Sequence, residues 1–511
     1  MPITHHRSKR RRLLGLSALS LNCREATSFV TSPPWRQNLD SRLLQARDAN
    51  QIVLPPSSTP ELSVEESNFW RSVPKRQRRR EEDVIPCESN LDVDGPLPFG
   101  AYRTYGNPAF EPKPTCLLTV ALDFTPDIER QRIKGRNQPG GKGKNSSSHK
   151  QTAVDRLVEG VDVDAAVRNV QQLIDAGFIS FQVAEDPNTM AISGDLLIQK
   201  WADENVFCKL RKDTPATVLR GCNFMTKIAV PSKDSAPFGS GSSIREAVGS
   251  SIRRTGADSL DTVQVQYCPD SPYHLDVLNV LSEMQEEGFI RSICSAGLPT
   301  TLMKDAKACN FHLDSNQLSC NLLDPQGYLD SLQTFSDTGT KILYGSPLAG
   351  GLLTDKYLKC ERPPNILSVG ELRHFQQSLS TLARRNGISG DLGDIWSSFH
   401  GSVLRTIGDI AFKHQVSVAS VALRWSFHLD SLGSVVAGVR CGMDDQDVPF
   451  KRPKELRNVF RFDLDEEDMQ RLWAVTGCDP EAWRSGGHRG DDGGTEGDLP
   501  PDIFANKKLW L

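Results

Sequence analysis

The middle of the chain alternates between short apolar runs and longer segments whose apolar residues recur at helical spacing. The pattern is clearest around Gly177. Four apolar residues before it lie at the spacing of one helix face: Val167, Val170, Leu173 and Ile174. Glycine readily takes the left-handed conformation that ends a helix. The run 178–184 that follows has high β propensity and leads into a polar loop. This order of helix, glycine, strand and loop predicts a βα unit.

The same alternation predicts eight strands between residues 116 and 437. The predicted strands are 116–122, 178–183, 224–230, 262–267, 290–295, 317–320, 341–344 and 434–437. The amphipathic segments between them, predicted as helices, are 190–204, 242–254, 273–287, 300–308, 403–414 and 419–428. Eight parallel strands alternating with helices indicate an α/β fold, a (β/α)8 TIM barrel. In such a barrel the functional residues lie at the carboxyl ends of the strands.

The two ends of the 511-residue chain differ from this middle. Residues 1–30 combine a basic start with a short apolar run, which is typical of a removable targeting presequence. We expect a plastid location, with mitochondrion or cytoplasm as alternatives; a disordered basic tail is the other interpretation of this segment. Residues 31–97 are of low complexity and predicted to be disordered. The barrel is expected over 98–480, with a disordered insertion near 127–151 and a polar flexible tail over 481–511.

Composition narrows the range of partners. The net charge of −4 argues against a nucleic-acid-binding protein. No apolar run approaches the roughly 20 residues that span a bilayer, so we predict no membrane span. The twelve cysteines are scattered and the ten histidines show no ligand spacing, so we predict no metal site. A small-molecule ligand remains the expected partner, and the oligomeric state is left open.

The segment 344–357 reads Y-G-S-P-L-A-G-G-L-L-T-D-K-Y and follows the seventh predicted strand. Tyr344 at a strand end could stack its ring on a flat heterocycle. Gly345, Gly350 and Gly351 would let backbone N–H groups approach an anion closely. Lys356 follows within reach of a phosphate. The alternative interpretation is a tight turn, which uses the same glycines in any barrel.

The eighth predicted strand leads into Gly438 and Arg440, at the corner where such barrels usually bind phosphate. A guanidinium group is a planar donor fork suited to an adenosine 2′-phosphate. The alternative interpretation of Arg440 is an ordinary surface ion pair.

These motifs resemble those of the aldo-keto reductases, which are NADP(H)-dependent oxidoreductases on a (β/α)8 barrel. Further matching segments are 287–291, 321–324, 418–425, 436–440 and 464–468. The resemblance spans roughly residues 98–480 and implies that a carbonyl or alcohol is the substrate. The cofactor-binding residues that it implies are Gln317, Tyr344, Gly345, Ser346, Leu348, Gly350, Gly351, Lys356, Gly438 and Arg440.

The family's chemistry uses an Asp, a Tyr, a Lys and a His, and here only the lysine, Lys227, is kept. Gln182 stands at the Asp position, Pro187 at the Tyr position and Gln266 at the His position. Loss of the general acid alone should cost roughly 10²–10⁴ in rate. Gln266 could donate a hydrogen bond to an oxyanion but cannot supply a proton. Lys227 could act as the acid, or be an inherited lysine that only forms ion pairs.

Two hypotheses follow. The first is an NADP(H)-dependent oxidoreductase with an altered proton-donor site. The second is a catalytically inactive pseudoenzyme that binds NADP(H) as a sensor or scaffold. A weaker third interpretation is a different phosphate ligand in the same pocket.

Overall fold

The computed structural model describes residues 97–110, 113–125, 157–184, 196–230, 241–364, 375–443, 451–478 and 480. All of these residues belong to one compact unit within residues 76–511. The described residues do not include the predicted presequence, most of the low-complexity segment, the predicted insertion near 127–151 or the polar tail. Their structural assignments stay predictions.

Eight parallel strands close into one barrel, in the order β8-β1-β2-β3-β4-β5-β6-β7. The strands are β1 Leu118–Asp123, β2 Ser180–Val183, β3 Asn223–Ala229, β4 Leu260–Gln266, β5 Ile290–Ala296, β6 Ser315–Ser319, β7 Lys341–Gly345 and β8 Leu432–Arg440. The predicted fold is thus confirmed as a (β/α)8 barrel. Strand β8 is longer than predicted and ends at Arg440 rather than at Ala437.

Helices alternate with these strands and cover the barrel. They are α1 Val163–Asp175, α2 Leu197–Ala202, α3 Cys208–Asp213, α4 Ala216–Leu219, α5 Gly241–Thr255, α6 His274–Glu286, α7 Thr300–Ala308, α8 Gln326–Thr338, α9 Phe375–Arg385, α10 Leu392–Ser398, α11 Arg405–His414, α12 Val418–Phe427, α13 Arg452–Arg457 and α14 Glu466–Thr476. Two π-helical segments, Asp203–Phe207 and Phe399–Leu404, interrupt the α-helical geometry next to α2 and α10. The predicted helix 190–204 ends inside the first segment and the predicted helix 403–414 begins inside the second, because the helical period does not register the extra residue that a π segment accommodates.

Local sequence explains how α1 begins and ends. The side chain of Asp162 accepts hydrogen bonds from the backbone N–H groups of Asp164 and Ala165, which caps the first turn. The helix ends before Gly177, whose φ of +92° confirms the predicted left-handed turn. A Cβ at this glycine would lie 3.0 Å from the backbone nitrogen of Leu97, so the close approach also requires glycine.

The amino end of the barrel is covered by a short antiparallel hairpin, Tyr102–Arg103 with Thr115–Cys116. The hydroxyl group of Tyr102 donates to the carbonyl of Gly177 at 2.8 Å. Lys113 forms an ion pair with Asp261 at 2.7 Å and donates to the carbonyl of Cys222 at 2.7 Å. The hairpin therefore anchors the chain at the end of the barrel opposite the strand carboxyl ends.

No helix among the described residues is long and apolar enough to cross a membrane.

Candidate functional site at the barrel mouth

Alternation along the strands shows which side chains face the barrel axis. Four apolar side chains pack in a small cluster separate from the main core: Ala121, Met225, Leu343 and Val436. They lie on four different strands, so this cluster is the barrel interior. Side chains two residues further along each strand also face inward, nearer the mouth. This rule places Asp123, Lys227, Gly345 and Gly438 at the carboxyl mouth.

Strand register extends this assignment to the glutamines. Gln182 is the register partner of both Ala121 and Met225. Gln264 is the partner of Lys227, and Gln317 is the partner of Leu343. Partners on neighbouring parallel strands face the same side of the sheet. Amides from β2, β4 and β6 and the ammonium group of β3 therefore line the interior, with the carboxylate of Asp123 at the end of β1.

Lys227 is 7% exposed near the end of β3, and its backbone is held by a side chain. The pairing of β2 with β3 ends at Gln182 and Met225, so β2 offers the backbone of Lys227 no ladder partner. The N–H of Lys227 donates instead to Oε1 of Gln199 at 3.2 Å. Gln199 in turn donates from Nε2 to Asp203 at 2.9 Å. Burial raises the pKa of Asp203 to about 6, although Gln199 and Arg254 oppose the shift.

Gln182, at the position of the family's aspartate, is 2% exposed, and its Oε1 has no hydrogen-bond partner among the described residues. An aspartate here would place a carboxylate on the strand beside Lys227. The amide places a neutral group there instead, so the described interior gives Lys227 no carboxylate from this position. Pro187 lies outside the described residues.

Gln266 lies half-buried at the end of β4, level with Ala229 and Ala296 on the neighbouring strands. The next residue, Tyr267, packs its ring 4.9 Å from that of His274 on α6, outside the barrel. Burial lowers the pKa of His274 to about 4, so this imidazole is neutral at neutral pH. Tyr267 and His274 therefore face away from the mouth.

Gln317 and Gln264 form an amide pair across the interior. Nε2 of Gln264 donates to Oε1 of Gln317 at 3.1 Å. Oε1 of Gln264 is buried and accepts no hydrogen bond from any residue that the structure describes. A Cβ at Gly345 would lie 3.1 Å from Nε2 of Gln317, so this glycine is what lets the amide lie against β7. The pair thus presents one amide donor and one unpaired acceptor.

Tyr344 faces the helix layer rather than the mouth. Its ring is fully buried and packs edge-on against Tyr328 of α8, with the ring centroids 5.6 Å apart. Its hydroxyl donates to the carbonyl of Asp430. This orientation corrects the stacking interpretation, because alternation points Leu343 and Gly345 inward and Tyr344 outward. The residue at the stacking level of β7 is therefore Gly345, which has no ring.

The loop after β7 has an unusual backbone. Ser346, Ala349, Gly350 and Gly351 all have positive φ, between +47° and +95°. The carbonyl of Ser346 accepts from the N–H of Ala349 at 2.9 Å and from the side chain of Asn321 at 3.2 Å. The carbonyl of Leu348 accepts from Gly351 at 2.9 Å. These bonds fix the loop, so both the predicted close backbone approach and the alternative tight turn are compatible with it.

Lys356, the predicted phosphate contact after this loop, is exposed, and its Nζ lies 5.1 Å from the centroid of the Tyr357 ring.

At the end of β8, Gly438 is exposed, and a Cβ placed on it would meet no atom of the described residues within 4 Å. Arg440, 44% exposed, forms an ion pair from Nε to Oδ2 of Asp123 at 3.5 Å. This contact agrees with the surface ion pair that the sequence left as an alternative. It also leaves the guanidinium at the rim of the mouth.

Three residues of this site escaped the sequence reasoning. Gln264 lies two residues before Gln266 and so shares its face, a signal that strand alternation could have supplied. Asp123 directly follows the predicted first strand as an acid, a signal that could have marked it as a rim residue. Gln199 lies on α2, and no sequence pattern indicates that its side chain completes the ladder of β3.

Comparison with known proteins agrees with this architecture. The family model described as the aldo/keto reductase family matches residues 224–475. The chain belongs to the aldo-keto reductase superfamily. No curated protein sequence matches it. Among solved structures, a glycerol dehydrogenase from Gluconobacter oxydans is similar to this aldo-keto reductase barrel with a TM-score of 0.50 and 15% identity. The match covers 75% of this chain and 95% of that one, and at this identity it concerns the fold alone.

Two further aldo-keto reductase structures are similar at lower scores. A thermostable enzyme in complex with the inhibitor epalrestat has a TM-score of 0.44 and 14% identity, over 73% of this chain and 99% of that one. A Bombyx mori enzyme in complex with NADP has a TM-score of 0.41 and 16% identity, over 63% of this chain and 86% of that one. The superfamily generally uses NAD(P)H.

Proposed function

We propose that the barrel binds NADP(H) at its carboxyl mouth and acts as an oxidoreductase of the aldo-keto reductase type on a small carbonyl or alcohol. The observation that carries the proposal is the contrast between two halves of the mouth. The half formed by β6, β7 and β8 keeps amide, glycine and arginine groups suited to a dinucleotide. The half formed by β2, β3 and β4 has lost its acids.

The residues present fit a nicotinamide dinucleotide. The donor Nε2 of Gln317 and the unpaired acceptor Oε1 of Gln264 are complementary to a carboxamide group. Gly438 leaves open space beside Arg440, whose guanidinium suits a phosphate. Gln317, Gln264, Gly438 and Arg440 would hold the cofactor. Tyr344 would not contact it.

The bound cofactor would supply a hydride to the carbonyl carbon, and the carbonyl oxygen would need a proton. Gln266 can donate a hydrogen bond to this oxygen but has no proton to give up. Lys227 is the one side chain at the matched tetrad positions that can lose a proton, and Gln199 holds its backbone in place. We therefore assign proton donation to Lys227 and expect turnover roughly 10²–10⁴ below that of an enzyme with an intact tetrad.

The second candidate function is dinucleotide binding without turnover. It is favoured by Gln182, a neutral buried amide where a carboxylate would orient Lys227; its oxygen has no partner within the described ranges. The barrel would then be a pseudoenzyme that senses NADP(H) or serves as a scaffold.

The test titrates the full-length protein with NADPH and NADH and follows intrinsic tryptophan fluorescence. Saturable NADPH binding that weakens in Arg440→Ala supports the cofactor site. Arg471→Ala is the matched control, because Arg471 forms a similar ion pair with Asp409 at 3.4 Å between helices α14 and α11. No binding of either nucleotide at millimolar concentration by the folded protein would refute the proposal.

A carbonyl panel then separates the two functions. NADPH oxidation that depends on a carbonyl and disappears in Lys227→Met supports the oxidoreductase. Binding with no turnover across the panel supports the pseudoenzyme, and turnover unchanged in Lys227→Met would remove the role proposed for this lysine.

We also propose a plastid location, which is supported only by the basic start and short apolar run within residues 1–30. Residues 1–30 fused to a fluorescent reporter should carry it into plastids of a plastid-bearing cell. Mitochondrial import or a diffuse signal would contradict this proposal.

A further inference from the structure

The first and last strands of the barrel meet at the mouth through one pair of opposite charges. Strands β8 and β1 are neighbours, and Arg440 is the register partner of Asp123 at the last position of both strands. Nε of Arg440 lies 3.5 Å from Oδ2 of Asp123, with the two side chains 44% and 24% exposed. The corner that the proposed function assigns to the nucleotide phosphate thus already contains a carboxylate.

The carboxylate of Asp123 is fixed by its own loop. The backbone N–H of Thr125 donates to its Oδ1 at 2.9 Å, and the hydroxyl of Thr125 donates to the same oxygen. Oδ1 is therefore engaged, while Oδ2 is directed towards Arg440. A carboxylate held in this way cannot easily turn away when an anion approaches the guanidinium.

We propose that Asp123 sets how strongly the barrel distinguishes NADPH from NADH, because its carboxylate pairs with the guanidinium group of Arg440, to which a 2′-phosphate would bind. A phosphate monoester carries roughly −1.5 to −2 charges at neutral pH. It must compete with Asp123 for Arg440 and meets the repulsion of the carboxylate. The ribose 2′-hydroxyl of NADH carries no charge and can donate a hydrogen bond to Asp123. The acid thus weakens NADPH binding selectively.

The size of the effect follows from the exposure of the pair. At this rim, solvent screens each charge pair to the order of 1 kcal/mol at contact distance. Removal of the negative charge should therefore strengthen NADPH binding by about five- to tenfold. The inference rests on the proposed function for the nucleotide site but does not depend on turnover.

The experiment measures dissociation constants of NADPH and NADH for the full-length protein and for Asp123→Asn. Asparagine keeps an oxygen that can accept from Thr125, so the loop geometry should survive. We expect the NADPH constant to fall about five- to tenfold and the NADH constant to change less than twofold. Asp409→Asn is the matched control, because Asp409 also pairs with an arginine at 3.4 Å but lies on helix α11. It should leave both constants unchanged.

The outcomes separate the two proposals. If both nucleotides bind and Asp123→Asn leaves the ratio of the two constants unchanged, the role of Asp123 is refuted while the nucleotide site stands. An equal gain for both nucleotides would also refute selectivity. If neither nucleotide binds the folded protein, the proposed function fails and the inference falls with it.

Discussion

Residue 182 illustrates how the exchange of one carboxyl group for an amide changes the chemistry of a barrel mouth. A buried carboxylate would need a cation, whereas a buried amide needs only hydrogen-bond partners. Within the described part of the chain Gln182 lacks one, since its Oε1 meets no donor there at 2% exposure. An unsatisfied buried acceptor costs about 1–3 kcal/mol.

We therefore expect Gln182→Met to raise the free energy of unfolding by about 1 kcal/mol, because methionine has a similar shape and no acceptor to desolvate. Urea denaturation followed by circular dichroism would measure it. Gln333→Met, on the outer face of α8, is the matched control and should change little. A loss of stability in Gln182→Met would show that the oxygen has a partner, such as a buried water molecule.

Single residues also show where sequence reasoning reached its limit. The identities of Lys227, Gln182 and Gln266 are matched by motif, and the structure places all three on inward-facing strand positions at the carboxyl end. The stacking role of Tyr344 could not be judged by motif alone, since one residue of phase decides whether a ring faces the axis or the helices. The register of β6 with β7 in the structure places Gly345 at the inward position.

At the scale of elements, all eight strands were predictable from apolar runs bounded by turn residues. Their ends were not, as β8 shows: Gly433 and Gly438 interrupt its pattern although the strand runs through both. Helix α8 was not predicted, and the π segments were invisible to a helical period. Strand β2 is too short to pair with Lys227 of β3, and Gln199 accepts the backbone hydrogen bond of that residue instead. Asp203, in the π segment next to α2, accepts a hydrogen bond from Gln199 in turn.

Asp203 should make the stability of this corner depend on pH. Its folded pKa of about 6 lies above the value near 3.9 of an unfolded aspartate, so the folded state binds the proton more tightly. Between pH 6 and 4 the stability contributed by this group should therefore rise as pH falls, by roughly 2–3 kcal/mol in total. Above pH 6 its contribution should be constant.

Urea denaturation between pH 4 and 7 would measure this slope against Asp203→Asn, which removes the titration but keeps an acceptor for Gln199. Asp409→Asn, an exposed helix position, should retain the slope of the natural protein. Identical pH profiles for Asp203→Asn and the natural protein would contradict the assignment.

At the scale of the whole molecule, the barrel separates its closed end from its functional end. The hairpin seals the amino end through Lys113, whose partner Asp261 is 8% exposed. Arg440 with Asp123, the pair of Gln264 and Gln317, and Lys227 all lie at the other end. Conservation of fold therefore does not require conservation of chemistry, since residues at the mouth can change without disturbing the seal.

This separation predicts that Lys113→Met will lower stability without altering the mouth. Loss of one partner leaves a buried charge uncompensated, which costs about 3–5 kcal/mol in such pairs. The free energy of unfolding should fall by an amount near the lower end of this range, because Lys113 is 17% exposed and Asp261 keeps its bond from the N–H of Phe224. NADPH affinity of the folded fraction should stay within twofold.

Lys209→Met, which breaks an exposed pair with Asp213 on α3, is the matched control and should change stability little. A parallel loss of NADPH affinity in Lys113→Met would show that the two ends of the barrel are coupled.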